Sequence, residues 1–217
     1  MSAIQQLMMS YGGIEIIPGL IWIARDSIRN WTSITSSADG AKLAATVING
    51  QIYTSVDSGV TWVARDSARK WASIASSADG TKLAAVTSNA QIYTSTDSGV
   101  TWTARDSARS WTSIASSEDG NKLAATVWGG YIYTSTDSGV TWTARNSTRS
   151  WQCIASSADG TKLAAMPYSE QIYTSTDSGV TWTARNSGAE TWQCIASSAD
   201  GTKLAACVYG GNIYTSA

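Results

Sequence analysis

The chain has 217 residues, enough for one large domain with a substantial core. Charged residues make up 14% and the net charge is −1, so we expect no general attraction for nucleic acid or for an anionic membrane. The sequence contains no His, the commonest general base and the commonest metal ligand. We therefore expect neither an enzyme nor a metal or other cofactor.

The N-terminal segment contains apolar residues, but Glu15 and Pro18 interrupt them and no basic residue precedes them. This pattern predicts neither a signal peptide nor a membrane span. A cytoplasmic location is therefore the default expectation. Residues 1–14 form a tail outside the repeat that fills the rest of the chain, and we expect this tail to pack on its own domain.

A 40-residue repeat dominates the sequence from residue 31 onward. Each copy opens with a W-x-[SC]-I segment, continues with an Asp-Gly turn and then reaches an I-Y-T-S segment. The five opening tryptophans, spaced by 40, 40, 40 and 41 residues, are Trp31, Trp71, Trp111, Trp151 and Trp192. Regular spacing of this length is typical of propellers and other repeat architectures.

The second copy shows how one unit is built. Trp71 to Ser76 predicts strand A, and the Asp-Gly turn at 79–80 leads into strand B, Lys82 to Thr87. Gln91 to Ser95 predicts strand C, and a second turn leads into strand D, Val100 to Ala104. Four short antiparallel strands per repeat predict a propeller blade.

The turn between strands C and D carries the pattern S-x-D-x-G-x-x-W four times at constant spacing. Its defining residues are Asp57, Gly59, Trp62, Asp97, Gly99, Trp102, Asp137, Gly139, Trp142, Asp177, Gly179 and Trp182. The pattern resembles the Asp box of sialidase-type (bacterial neuraminidase repeat) propellers. That resemblance implies a structural hairpin in which Asp caps the turn and Trp packs between blades.

Sialidase catalysis, as the resemblance implies it, needs a three-arginine cluster, a Tyr–Glu nucleophile pair and an acidic Asp, each at one unique place. In this chain the arginines repeat with the blades. The only glutamates, Glu15, Glu118, Glu170 and Glu190, have no visible Tyr partner in a unique insertion. We therefore do not expect a glycosidase.

The last repeat ends at strand C and lacks its own strand D. Counting back 40 residues from Gly59 and Trp62 gives Gly19 and Trp22, although Ile17 stands where the Asp should be. We predict an all-β, five-bladed β-propeller closed by pairing residues 19–27 with the C-terminal strand. The single propeller domain spans 15–217, with blades at about 31–67, 71–107, 111–147, 151–187 and 192–217 plus 19–27.

Two sets of residues on one predicted face are candidate ligand contacts. The B–C loops vary most between copies and carry the first set, Trp128, Tyr168, Tyr209, Asn49 and Asn89. The D-to-A connections carry the second set, Arg29, Arg69, Arg109 and Arg149. Simple loop drift remains an alternative for the first set. Pairing with a local Asp, or stacking on Trp, remains one for the second.

These residues predict a non-enzymatic binding propeller, lectin-like, with repeated carbohydrate sites between blades and a monomeric state. Two alternatives stay open: a structural or protein-interaction scaffold, and a recently amplified or engineered repeat without a defined ligand. The three cysteines fit no zinc motif or disulfide framework. Cys153 and Cys194 occupy the position of Ser33 in repeat 1, which predicts a small buried site, with a redox pair between neighbouring blades as the alternative.

Overall fold

The computed structural model describes residues 22–216, and every regular element in that range is a β-strand. None of the described residues forms a helix long and apolar enough to cross a membrane. The strands are β1 (Trp31–Ser36), β2 (Leu43–Ser55), β3 (Val63–Ser76), β4 (Leu83–Ser95), β5 (Thr103–Ser116), β6 (Leu123–Ser135), β7 (Thr143–Ser156), β8 (Leu163–Pro167), β9 (Tyr173–Ser175), β10 (Thr183–Ala184), β11 (Trp192–Ser197), β12 (Leu204–Val208) and β13 (Ile213–Thr215). All ladders between them are antiparallel, so the all-β prediction is confirmed.

Strands within each repeat pair in the order in which they occur in the chain. In repeat 2, the end of β3 pairs with the start of β4, with Trp71 opposite Thr87. The end of β4 then pairs with the start of β5, with Tyr93 opposite Ala104. β3, β5 and β7 each leave one repeat as its strand D and enter the next as its strand A.

The long strands differ from the separate short strands that the sequence predicts. In the first repeat, Ile48 and Gly50 of the B–C hairpin pair with Lys70 and Arg69 of the following D-to-A connection. This extra pairing keeps both connections extended, so strand B runs into C and strand D runs into the next A. In the fourth repeat Pro167 ends β8, because proline has no N–H for the ladder.

The A–B turns of all five repeats meet around one central cavity, lined among others by Ser37, Ser77, Ser117, Ser157 and Ser198. Backbone hydrogen bonds join successive turns: the Ala38 N–H donates to the Ala78 carbonyl at 2.7 Å, and the Ala78 N–H donates to the Glu118 carbonyl at 2.7 Å. The same bond recurs twice more and ends at Ala199. The repeats are therefore arranged radially around this cavity, with strand A innermost.

The core lies between neighbouring sheets. Trp71 and Ile74 of repeat 2 pack with Ala44 and Ile52 of repeat 1 in one buried cluster, and the corresponding residues of later repeats form three similar clusters. The Ser33 hydroxyl also accepts the Ile74 N–H at 3.3 Å across this interface. Each repeat thus has a front face that covers the previous repeat and a back face that the next repeat covers.

The front face of repeat 1 is uncovered. Trp31 is 40% exposed and Ile34 is 65% exposed, whereas the equivalent tryptophans of the other repeats are at most 1% exposed and the equivalent isoleucines at most 8%. On the back face of repeat 5, Ile213 is exposed as well. The two ends of the array therefore do not cover each other in this structure.

The predicted pairing of residues 19–27 with the last strand is not present in the described part of the chain. Residues 19–21, like the tail at 1–14, lie outside the described residues, whereas residues 22–30 form no strand and Trp22 is 91% exposed. Among the described strands, β13 pairs with β12 alone.

Candidate binding surface

The structure places the connections on two opposite faces. On one face the Asp-box turns lie beside the A–B turns, where the Ser58 N–H donates to the Ala41 carbonyl at 2.9 Å. On the other face the B–C hairpins lie beside the D-to-A connections, where the Gln51 amide donates to the Asp66 carbonyl at 3.0 Å. We call the second face the hairpin face; its hairpins comprise residues 47–50, 87–90, 127–130, 167–170 and 208–211.

Both oxygens of each Asp-box carboxylate accept hydrogen bonds from residues of its own turn. Asp137 Oδ1 accepts the Thr141 N–H at 2.9 Å and the Ser135 hydroxyl at 2.8 Å, and its Oδ2 accepts the Thr141 hydroxyl at 2.6 Å. These bonds, the Thr141 hydroxyl first, lower the pKa of Asp137 to about 2. The same bonds lower the pKa of Asp57, Asp97 and Asp177 to about 2. Such carboxylates are charged turn caps rather than proton donors near neutral pH.

The Gly and Trp positions of the box complete the turn. Gly139 has φ +82°, and an added Cβ would lie 2.8 Å from Cγ2 of Thr94 in the preceding repeat. The indole N–H of Trp142 donates to the Gly139 carbonyl at 2.9 Å while its ring packs against the core cluster between repeats 2 and 3. Only glycine fits both the backbone angle and the close neighbour.

The arginines of the D-to-A connections are held by local partners. Arg69 lies 3.4 Å from Asp66 Oδ2 and its guanidinium sits 4.2 Å from the ring centroid of Tyr93. Arg29 and Arg109 repeat both contacts. The predicted local Asp partner is therefore present for these three arginines. The predicted stacking on Trp is replaced by closer stacking on Tyr, since the ring centroid of Trp71 is 5.8 Å from the Arg69 guanidinium. A second series, Arg65, Arg105, Arg145 and Arg185, donates through Nε to Thr hydroxyls of strand C.

Arg149 departs from this pattern because Asn146 stands where the earlier repeats have Asp. Its guanidinium instead forms a close ion pair with Glu170 while keeping its place over Tyr173, 4.6 Å from the ring centroid. Arg149 also pairs through its backbone with Gly130 in the hairpin of repeat 3. The ion pair therefore links the hairpins of repeats 3 and 4.

The tips of the hairpins have left-handed backbone angles, which explains their residue types. Asn49 and Asn89 have φ of 56° and 76°, and Gly129, Ser169 and Gly210 occupy the same position with φ between 56° and 66°. Asn tolerates this conformation better than most residues. The exposed Asn49 and Asn89 side chains lie in hairpins that carry no aromatic residue. Ser110 donates to the Asn89 side chain at 3.0 Å.

Trp128 and Tyr168 form the one close aromatic pair between hairpins of different repeats in the described part of the chain. Their ring centroids are 5.8 Å apart, and the two side chains are 47% and 45% exposed. Tyr209 is 77% exposed and has no such partner among the described residues. We call Trp128 and Tyr168 the aromatic pair.

The candidate residues therefore do not come together as five equivalent sites. The structure brings Trp128, Tyr168 and Arg149 to the junction of repeats 3 and 4, together with Glu170, which sequence reasoning did not select as a site residue. Glu170 occupies the position of Gly50 in repeat 1, and this substitution was the available signal. Within residues 22–216 no group of His, Cys, Asp or Glu is arranged to hold a metal ion.

Comparison with known proteins supports the fold. No protein-family model matches the sequence, and no curated protein matches it. Among solved structures, YCF48 bound to D1 peptide is similar with a TM-score of 0.68 and 20% identity, over 93% of this chain and 70% of that one. The GH74 enzyme of Niastella koreensis is similar with a TM-score of 0.68 and 22% identity, over 89% of this chain and 31% of that one.

The β-propeller domain of Myceliophteria thermophila Cps50 (Swd1) is similar with a TM-score of 0.69 and 13% identity, over 88% of this chain and 66% of that one. All three identities are low, so the likeness extends to the fold alone. Radial antiparallel sheets and these structural neighbours together identify the protein as a β-propeller. The chain spans only part of the length of each of the three.

Proposed function

We propose that this chain is a non-enzymatic binding propeller whose ligand site lies at the aromatic pair on the hairpin face. The observation that carries this proposal is the contact between Trp128 and Tyr168, two large and half-exposed rings from different repeats. Exposed rings of this size are unfavourable in water and are enriched at binding sites. Arg149, whose backbone pairs with the hairpin of repeat 3, forms an ion pair with Glu170 in the hairpin of repeat 4.

A carbohydrate is the ligand class that this surface favours. The apolar face of a sugar ring stacks on an aromatic side chain, and its hydroxyls bond to charged or amide groups beside the ring. The hairpins of repeats 1 and 2 have Ile48 and Ser88 at the aromatic position, so the proposal is one principal site rather than five. The resemblance to Asp-box propellers supports the propeller architecture but says nothing about the ligand.

The absence of catalysis is part of the proposal and rests on how the charged groups are used. The Asp-box carboxylates cap turns, and their lowered pKa leaves them without a proton to donate near neutral pH. Arg29, Arg69 and Arg109 stack on Tyr and pair with Asp. Arg149 stacks on Tyr and pairs with Glu170, and the second arginine series donates to Thr. Incubation of the purified chain with fluorogenic glycosides tests this part, and turnover that survives repurification would contradict it.

A glycan array followed by titration calorimetry tests the binding site. We expect the wild-type chain to bind at least one glycan class with weak affinity, and Trp128→Ala to reduce that affinity by about tenfold or more, since a stacked ring contributes about 1–3 kcal/mol. Tyr168→Ala should have a similar effect. Both rings are half-exposed, so neither change should lower the melting temperature much.

Tyr209→Ala is the matched control, because Tyr209 occupies the same hairpin position in repeat 5 without an aromatic neighbour. We expect it to bind like wild type. Equal losses in all three variants would instead indicate several independent sites. A wild-type chain that binds no glycan on the array would overturn the carbohydrate assignment.

A protein or peptide ligand is the second candidate. Its specific support is that a structurally similar protein, YCF48, has been solved bound to D1 peptide. The aromatic pair would then receive an apolar side chain. Pulldown with wild-type chain and with Trp128→Ala separates the two candidates, because a peptide ligand would be lost from the variant even when the array is silent.

We propose in addition that the repeats close into a five-bladed ring. Support comes from the two uncovered ends, which are the two halves of the interface that neighbouring repeats form four times within the chain. The intact repeats also suggest a register: Val63 pairs with Thr54 and Ala64 with Tyr53, so Ile23 would pair with Thr215 and Ala24 with Tyr214. Closure would remove the exposed edge of β13.

Two glycines at the same repeat position test closure. Gly80 has φ +67°, and a Cβ there would lie 2.9 Å from Lys42 Cβ of repeat 1, whereas a Cβ on Gly40, at φ +70°, meets nothing within 4 Å. In a closed ring repeat 5 would crowd Gly40 as repeat 1 crowds Gly80. We therefore expect Gly40→Ala to lower the melting temperature as much as Gly80→Ala; a clearly milder effect would show that the ring stays open.

A further inference from the structure

Cys194 and Cys207 lie directly opposite each other on neighbouring strands of the last repeat. They are paired in the β11–β12 ladder, and their sulfur atoms are 2.8 Å apart. Directly opposed residues of an antiparallel pair have Cα atoms about 4.5–5.5 Å apart, which falls within the range that a disulfide spans. We propose that this pair is a modification site that forms an intramolecular disulfide across the last sheet under mildly oxidising conditions.

The pair is special to the last repeat. The equivalent cross-strand pairs are Ser33 with Thr46, Ser73 with Val86, Ser113 with Thr126 and Cys153 with Met166. Only repeat 5 has a thiol at both positions. Drift at a small buried site, which the sequence predicts, does not describe this geometry, because Cys194 is exposed on the uncovered back face.

The third cysteine has a different environment. Cys153 belongs to the interface between repeats 4 and 5 and contacts the Ser113 hydroxyl at 3.9 Å on its other side. Its cross-strand partner, Met166, cannot form a disulfide. Pairing between the neighbouring blades, Cys153 with Cys194, is therefore the competing outcome, and the two pairings give different products.

The oxidant is a small-molecule disulfide such as oxidised glutathione. A thiolate of the pair attacks one glutathione sulfur, forms a mixed disulfide and releases one glutathione as its thiolate. The second cysteine then attacks the protein sulfur of that mixed disulfide and releases the other glutathione. The protein loses two protons and two electrons, and both glutathione molecules leave reduced, so the exchange is balanced.

The product is a covalent tie between β11 and β12 at the end of the array where no further sheet covers the back face. In an open array the last repeat has one neighbour instead of two, so it opens first. In a closed ring its second interface is the one that joins the two chain ends, so opening is again expected to start there. The tie should therefore slow opening of the last repeat and reduce its proteolysis. It should have little effect on the central repeats.

Mass spectrometry of the full chain tests the proposal. After equilibration with oxidised glutathione, free thiols are blocked and the chain is digested with trypsin. Cleavage after Lys203 puts Cys194 and Cys207 in separate peptides, so we expect these two peptides to be linked and the Cys153 peptide to carry the blocking group. A Cys153–Cys194 link, a retained glutathione adduct or three blocked thiols would each overturn the proposal.

Single-residue variants that are all expected to fold provide a second test of the same disulfide. Cys194→Ser and Cys207→Thr restore the residues that repeats 1 and 3 already carry at these positions, so both should fold. Neither should form the linked peptides, whereas the control Cys153→Ser should form them as wild type does. Failure of the control to form the link would contradict the assignment even if the single variants behave as expected.

Discussion

The guanidinium of Arg69 lies 4.2 Å from the ring centroid of Tyr93 and 3.4 Å from the carboxylate of Asp66. The same arrangement recurs at Arg29 and Arg109. Repeated arginines on one face would suggest an anion-binding ring if the sequence were considered alone. The contacts show instead that these side chains hold the D-to-A connection against strand C of the repeat into which the connection leads.

The first prediction separates the stack from the ion pair. Arg69→Met removes both contacts and should destabilise the chain by about 1–2 kcal/mol, since an ion pair near the surface contributes little and a stacked guanidinium contributes about 0.5–2 kcal/mol. Asp66→Asn removes only the ion pair and should change stability much less, because Asn146 and Asn186 already occupy this position in other repeats. Denaturant unfolding of both variants measures the difference. Equal destabilisation would show that the ion pair dominates.

The second prediction concerns two glycines with similar backbone angles and different neighbours. Gly139 has φ +82° with a Thr94 methyl 2.8 Å from its missing Cβ, and Gly129 has φ +66° with nothing within 4 Å. Gly129→Ala should cost about 1 kcal/mol from backbone strain alone. Gly139→Ala should cost more, because the side chain also overlaps the preceding repeat. Thermal unfolding compares them, and equal costs would mean that the interface adjusts freely around the added methyl.

The third prediction is a pH dependence. The pKa of each Asp-box carboxyl is about 2 in the folded protein, below the usual value near 3.9 in an unfolded chain. A lowered folded pKa contributes stability that is fully present above about pH 4 and is lost as the pH falls towards 2. The melting temperature should therefore be nearly constant from neutral pH down to about 5 and should fall steeply between about 4 and 2. A steep fall already above pH 5 would indicate other titrating groups.

Much of the fold follows from local sequence signals. The Asp-Gly turns, the Asp-box pattern and the 40-residue spacing each specify a hairpin or a strand from neighbouring residues, and the structure has these turns with the expected left-handed glycines. Assignment of the connections to two faces follows from the alternating direction of the strands. These features depend on short-range geometry, which a single repeat contains in full.

Features that depend on how neighbouring repeats are placed could not be predicted from the sequence. Pairing of Ile48 and Gly50 with the next connection, which joins strands B and C, depends on the path of a neighbouring segment. The contact between Trp128 and Tyr168 depends on the distance between two hairpins 40 residues apart, and the shift of Arg149 to Glu170 depends on the loss of one carboxylate at Asn146. Such contacts follow from the placement of whole sheets and not from residue type.

The last prediction concerns the buried serine of the Asp-box turn. The Ser135 hydroxyl accepts the Gly139 N–H at 2.9 Å and donates to Asp137 Oδ1 at 2.8 Å, and Ser135 is buried. Ser135→Ala leaves the Gly139 N–H without that partner in a buried place, which costs about 1–3 kcal/mol. Thr136→Ala, at the exposed neighbouring position, is the control and should cost less than about 0.5 kcal/mol. Urea unfolding of the two variants at neutral pH provides the measurement, and a Ser135→Ala cost no larger than that of the control would show that a water molecule replaces the hydroxyl.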